Sequence, residues 1–214
     1  MVDGSAPLAR HQMVWVDPAG WRETIAAHAL VSTHPLVSSW ADRGWPLIAR
    51  SPVCEDASEG LLLGLPLPPG EGKQRLAFQL PFHMMIRSEP SPRLAIAASV
   101  APPHWHSTID AILLLDPETR CFGSIAWQFL TELTYLSETS DLDLLWSVGS
   151  AAHADDYASY LHAVADDAPM GVDGEFISPW GNAVQWREWL AQTEEVVVKT
   201  SGGPQMLARN QVFA

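Results

Sequence analysis

Between Arg120 and Val148 the chain reads RCFGSIAWQFLTELTYLSETSDLDLLWSV, and this stretch limits the available folds more than any other. A minimal strand, Arg120 to Phe122, runs into Gly123-Ser124. Ala126, Phe129, Leu130 and Leu133 then recur at helical spacing, and LDLLWSV reads as a strand. Side chains alternate faces along a strand, so Asp141 and Asp143 project together while Leu142 and Leu144 enter the core. Two carboxylates on one face repel each other, and a fold tolerates them where a cation sits between them.

That pairing has a definite chemistry. Mg²⁺ prefers hard oxygen ligands and commonly bridges protein carboxylates to substrate phosphates, so Asp141 and Asp143 are candidate metal ligands and catalytic residues. Gly123 allows close backbone approach, and Ser124 stands in the first turn of a helix whose free N–H groups favour an anion. A third carboxylate is expected from the neighbouring strand. VDGEFI supplies Asp173 as first choice and Glu175, on the same face, as second. Each piece alone has a plainer explanation: Asp-x-Asp is often a solvated strand end, Gly-Ser a helix cap, and Asp-Gly a turn.

The remaining sequence reads as two α+β domains, 1–103 and 104–214, divided near APPHWH. In the first, HQMVWVD, GWPLIARSP, RLAFQL, MMIR and RLAIAASV look like strands, and a helix follows Pro18. GLLLGLPLPPGEGK reads as loop or edge over much of its length. In the second, STIDAILLLD, DDYASYLHAVADD and AVQWREWLA read as helices, GEFI as a short strand and EEVVVKT as the last strand. A formal charge of −13 argues against a nucleic-acid partner. No apolar run is long enough to span a membrane, and the N-terminus does not resemble a secretory signal. With only Cys54 and Cys121, a disulfide framework is not expected and a reducing cytoplasm is the natural setting. Most of the ten tryptophans are expected in the core. GEGK is not a Walker motif, because Leu67 stands where glycine is required and Gln74 follows Lys73. His104 and His106 have no evident third ligand, and Cys121 reads as a small core residue.

The order strand, Gly-Ser, helix, Asp-x-Asp strand resembles the nucleotidyltransferase fold. More specifically, CFGSIAWQFLTELTYLSETSDLDLLW, DGEF, GNAVQWREWL and VVVKT, with RHQMVWVDP, PLIARSP and LGLPLPPGEGKQRLAF before them, are similar to the phosphoribosyl-dephospho-CoA transferases, the holo-acyl-carrier-protein synthases of malonate decarboxylase. The resemblance implies a nucleotidyltransferase-like C-terminal domain with a small mixed sheet flanked by helices. It also implies an N-terminal α+β domain that binds substrate or carrier. The implied reaction moves triphosphoribosyl-dephospho-CoA onto a serine of the apo acyl-carrier subunit, forming a phosphodiester and releasing diphosphate. Asp141, Asp143 and Asp173 would hold Mg²⁺, and Gly123 and Ser124 the departing diphosphate. Lys199, Arg50, Lys73 and Arg75 would add phosphate contacts. Two alternatives stay open at this point: the same chemistry on another hydroxyl acceptor, and a non-catalytic module that binds a carrier protein or nucleotide.

Overall fold

Strands form where apolar residues alternate, and in the computed structural model, which describes residues 8–28, 33–51, 60–200 and 202–214, they build two separate sheets. The chain divides into units Met1–Pro90 and Ser91–Ala214. In the first, β1 (Met13–Val16) leads through α1 (Pro18–Ala26) and α2 (Pro35–Ser38) to β2 (Leu47–Ala49), β3 (Leu61–Pro66), β4 (Arg75–Leu80) and β5 (Met85–Glu89). The sheet is antiparallel throughout, in the order β4-β3-β2-β1-β5. Asp17 caps α1 by accepting from the Gly20 N–H at 2.8 Å, and Pro18 fills the first helical position. Two indoles are pinned by backbone carbonyls: Trp21 Nε1 donates to Val37 and Trp40 Nε1 to Pro46, each at 2.8 Å. Pro52 and Cys54 lie outside the described residues.

GLLLGLPLPPGEGK departs from the loop or edge expected of it. It contributes β3, an interior strand between β4 and β2. Leu61, Leu63 and Leu65 are buried on one face, and that alternation outweighs Gly64. Pro66 is tolerated because it is the strand's last residue.

The second unit begins with α3 (Leu94–Ala97), where RLAIAASV was expected to be a strand. Leu94 and Ala97 belong to the core of this unit, which is why the division falls at Pro90/Ser91 and not at the proline-rich APPHWH. Then come α4 (His106–Leu115), β6 (Arg120–Cys121), α5 (Gly123–Thr131), β7 (Leu142–Ser147), α6 (Ala151–Asp166), β8 (Val172–Ile177), β9 (Ala183–Gln185), α7 (Trp186–Leu190), β10 (Glu195–Thr200) and β11 (Gly203–Ala208). The sheet order is β11-β10-β9-β8-β7-β6, mixed because β7 and β8 are parallel while the other pairs are antiparallel. Parallel neighbours need a crossover, and α6 supplies it. Its Ala154, Ala158 and Leu161 pack in a core with Leu142, Leu144, Trp146, Phe176, Val184 and Val198. Seven of the ten tryptophans are buried: Trp21, Trp40, Trp105, Trp127, Trp146, Trp186 and Trp189.

Three further differences have local causes. Helix α5 stops at Thr131 because Glu132 turns to φ +61, so Leu133 lies beyond it. AVQWREWLA splits into β9 and α7, since Gln185 ends the strand and caps the helix. EEVVVKT is not the last strand: it pairs along its whole length with β11. Among the described residues no helix is long and apolar enough to cross a membrane.

Candidate functional site

Strand β7 carries its leucines inward as expected: Leu142 and Leu144 are fully buried. By alternation Asp143 takes the opposite face, and Asp141, immediately before the strand, shares that face. Asp141 is exposed, and its side chain makes no hydrogen bond or ion pair among the described residues. Both carboxylates lie against glycine backbone. A Cβ built on Gly123 would sit 1.8 Å from Asp143 Oδ2, and one on Gly171 would sit 2.1 Å from Asp141 Oδ1. Gly123 has φ +62, in the left-handed region that glycine enters at no steric cost. The backbone reinforces the approach: Phe122 N–H donates to Asp143 O at 3.0 Å, and Leu142 N–H to Gly171 O at 2.7 Å. The mouth of α5 therefore opens directly beside the Asp143 carboxylate. In its first turn Ser124 is half-buried, with no side-chain hydrogen bond among the described residues.

The parallel register places Asp173 beside Asp143. Neighbouring strands lie about 4.8 Å apart, so the two residues are adjacent across the strands on one face. Asp173 Oδ1 accepts two hydrogen bonds, from Gln185 Nε2 at 2.7 Å and from Gly174 N–H at 2.8 Å. Glu175, the second choice for the third carboxylate, is only 3% exposed, and its Oε1 accepts from Lys199 Nζ at 2.6 Å. A candidate third carboxylate and a candidate phosphate ligand are thus joined in one ion pair. Arg120 pairs with Leu145 and so shares the face at the sheet's edge, where its Nη1 donates to Ser91 O at 2.6 Å. Cys121 points the other way, fully buried, its thiol pushed up to about 12 by burial and, secondarily, by the Asp143 charge.

The cations from the first unit do not assemble into one group. Arg50 N–H bonds to Leu62 O near the start of β3, whereas Arg75 pairs with Pro66 at its other end. Lys73 lies just before β4, exposed like Arg75. His104 falls in a 3₁₀ turn and His106 in the first turn of α4, with no cluster of three or more His, Cys, Asp or Glu placed to hold a metal among the described residues. Mg²⁺, however, is usually bound by one or two protein carboxylates together with substrate phosphates, and the oxygens of Asp141 and Asp143 fit that requirement. Gln185 and Arg120 escaped the sequence reading because only strand pairing brings them to this face.

Fold and face together define a two-domain α+β protein whose C-terminal sheet presents a row of acidic side chains beside a helix N-terminus. Known proteins resolve the class further. The C-terminal-domain profile of phosphoribosyl-dephospho-CoA transferase MdcG matches residues 93–210, and the profile of its N-terminal domain matches residues 9–91. The chain therefore belongs to the phosphoribosyl-dephospho-CoA transferase family, and it is a transferase enzyme. A phosphoribosyl-dephospho-CoA transferase of Bradyrhizobium diazoefficiens is 36% identical over 215 residues, covering 99% of this chain and 95% of its own. One of Xanthomonas campestris pv. campestris is 33% identical over 210 residues, covering 95% and 96%. No solved structure matches.

Proposed function

We propose that this transferase moves the triphosphoribosyl-dephospho-CoA prosthetic group onto a serine of the apo acyl-carrier subunit of malonate decarboxylase, with Mg²⁺, in the cytoplasm. The observation that carries the reading is the packing of the Asp143 carboxylate against Gly123 at the mouth of α5, within a chain of this family. The serine Oγ attacks the phosphorus nearest the ribose, a P–O bond forms, and the bond to the departing diphosphate breaks. Asp141 and Asp143 would hold Mg²⁺, which when bound neutralises phosphate charge and polarises the reacting phosphorus. One of the two carboxylates takes the serine proton. The N–H groups of the first turn of α5, with the Ser124 hydroxyl, receive the negative charge that develops on the diphosphate. Lys199 adds positive charge on the same face. The arrangement suits this chemistry, because the Asp143 carboxylate that would hold the metal packs against the helix mouth that would receive the anion.

The test is mass spectrometry of the apo carrier after incubation with the enzyme, Mg²⁺ and the triphosphoribosyl precursor. A mass gain matching the prosthetic group, absent without Mg²⁺ and abolished in a folded Asp141→Asn or Asp143→Asn enzyme, is expected. Undiminished transfer by both variants overturns the site. Transfer of AMP from ATP to another hydroxyl, with none to the carrier, overturns the substrate.

A further inference from the structure

Where β9 ends, two side chains take over a hydrogen bond that the strand would have made. β8 and β9 pair antiparallel with Glu175 opposite Gln185, and that register, continued by two residues, would set Arg187 opposite Asp173. The chain turns into α7 at Trp186 instead. Carbonyls alternate sides along a strand. Gly171 O and Ile177 O accept from Leu142 and Val148 N–H on the β7 side, so Val172 O faces the side that β9 has left. Both residues of the turn satisfy that carbonyl: Trp186 Nε1 donates to Val172 O at 3.2 Å and Arg187 Nη2 at 3.3 Å. The guanidinium also lies over the Trp186 ring, 4.4 Å from its centroid, and that indole is fully buried.

Arg187 is nevertheless exposed, and no carboxylate pairs with it among the described residues. Its charge and its other N–H groups are held at the carbonyl immediately before Asp173, at the end of β8 where Asp141 packs against Gly171. A surface arginine ordinarily has much rotamer freedom to lose on binding. This one is fixed at two points, so less is lost when it meets a ligand. The ligand chemistry that suits a fixed guanidinium fork left unpaired by its acidic neighbours is a phosphate, whose oxygens it meets in pairs. We infer that Arg187 is a donor-binding residue of the transferase: its guanidinium, on the β9 side of the acidic row, grips phosphate oxygens of the donor across the row from the mouth of α5. The inference rests on the proposed function for the donor's identity, and on the Val172 and Trp186 contacts for the grip itself. That donor carries phosphate both in its triphosphate and in the diphosphate bridge of its dephospho-CoA portion, and the two are separable by experiment.

Calorimetry measures binding of inorganic triphosphate and of dephospho-CoA to the full chain at one fixed Mg²⁺ concentration. Wild type is compared with Arg187→Met and Arg187→Lys, and melting temperatures are recorded alongside. Arg187→Met is expected to lose about 10–100-fold in affinity for one of the probes, the loss of a charge-assisted hydrogen bond. The probe affected says which phosphate is gripped. Arg187→Lys keeps the charge without the planar fork and is expected to fall between the other two. In carrier modification the KM for the donor should rise by a similar factor while kcat changes less. Where Arg187→Met does not fold, Arg187→Lys decides on the same terms. A folded variant that binds both probes as wild type does, or a wild type that binds neither, overturns the inference. So does a lowered melting temperature with an unchanged donor KM, which is what a carbonyl cap alone would give. Probe affinity lost in Arg187→Met, in a protein whose wild type leaves the carrier unmodified, supports the phosphate contact and removes the proposed reaction instead.

Discussion

The two glycine contacts yield a paired prediction in which stability and activity move differently. In Gly123→Ala the new Cβ would lie 1.8 Å from Asp143 Oδ2 and 2.6 Å from its Cγ, when real contacts stay above 3.0 Å. Asp143 must therefore retreat by roughly 1.2 Å, the difference between those two values. The backbone at φ +62 adds strain of about 1–2 kcal/mol for a residue bearing a Cβ. A misplacement of about 1 Å in a reacting group costs on the order of 10²-fold, which is about 2.7 kcal/mol of barrier. Gly171→Ala isolates the second effect. Its Cβ would lie 2.1 Å from Asp141 Oδ1, but Asp141 is exposed, and Gly171 has no positive φ. The expected outcome, read by urea denaturation, is an unfolding free energy lowered by about 1–2 kcal/mol for Gly123→Ala and changed by less than about 1 kcal/mol for Gly171→Ala. Carrier modification should fall on the order of 10²-fold in both. If Gly171→Ala folds normally and transfers at the wild-type rate, the Asp141 carboxylate is not needed where the structure places it, and the reasoning from carboxylate placement to catalysis fails.

Two other perturbations probe the supporting groups. Lys199→Met leaves Glu175, 3% exposed, without its ammonium partner. Losing that charged hydrogen bond costs about 1.5–3 kcal/mol, measurable by urea denaturation. Glu175→Gln/Lys199→Met should recover most of that stability while leaving the KM for the triphosphate donor raised; equal KM values in wild type and the double variant would remove Lys199 from the phosphate site. Cys121, its thiol pushed up to about 12 chiefly by burial, stays protonated below that pH. Its peptide should therefore remain unalkylated by iodoacetamide in the folded protein at pH 8 and become labelled in urea, as read by mass spectrometry.

The fold was legible where local pattern and tertiary demand agree. HQMVWVD, RLAFQL and LDLLWSV alternate and form β1, β4 and β7; Asp17-Pro18 announces α1. It was illegible where packing overrides composition. RLAIAASV has β-compatible apolar residues, yet Leu94 and Ala97 reach the core of the second unit only as a helical turn. GLLLGLPLPPGEGK has the punctuation of a loop, yet three leucines at alternate positions gain more by burial than Gly64 and Pro66 lose. Strand β11 was missed because GPQMLA has little alternation of its own, and its place is set by six paired residues of β10.

The site divides along the same line. That Asp141, Asp143 and Asp173 share a face could be read because period-two alternation and a parallel register carry side chains there whatever surrounds them. Their supports could not. Lys199 and Glu175 stand 24 positions apart in sequence, and Gln185 and Asp173 stand 12 apart, so the first pair exists only after β8, β9 and β10 have paired in register and the second only after β8 and β9 have. Once that pairing is fixed, Glu175 is committed to Lys199 through Oε1 and lies buried, whereas Asp173 keeps Oδ2 unpartnered among the described residues. What distinguishes the two candidate third carboxylates is therefore their neighbours and not their own spacing. A buried carboxylate already neutralised by an ammonium has little to offer a divalent cation, while a half-buried one with a single oxygen satisfied retains the charge and the lone pairs that a cation seeks.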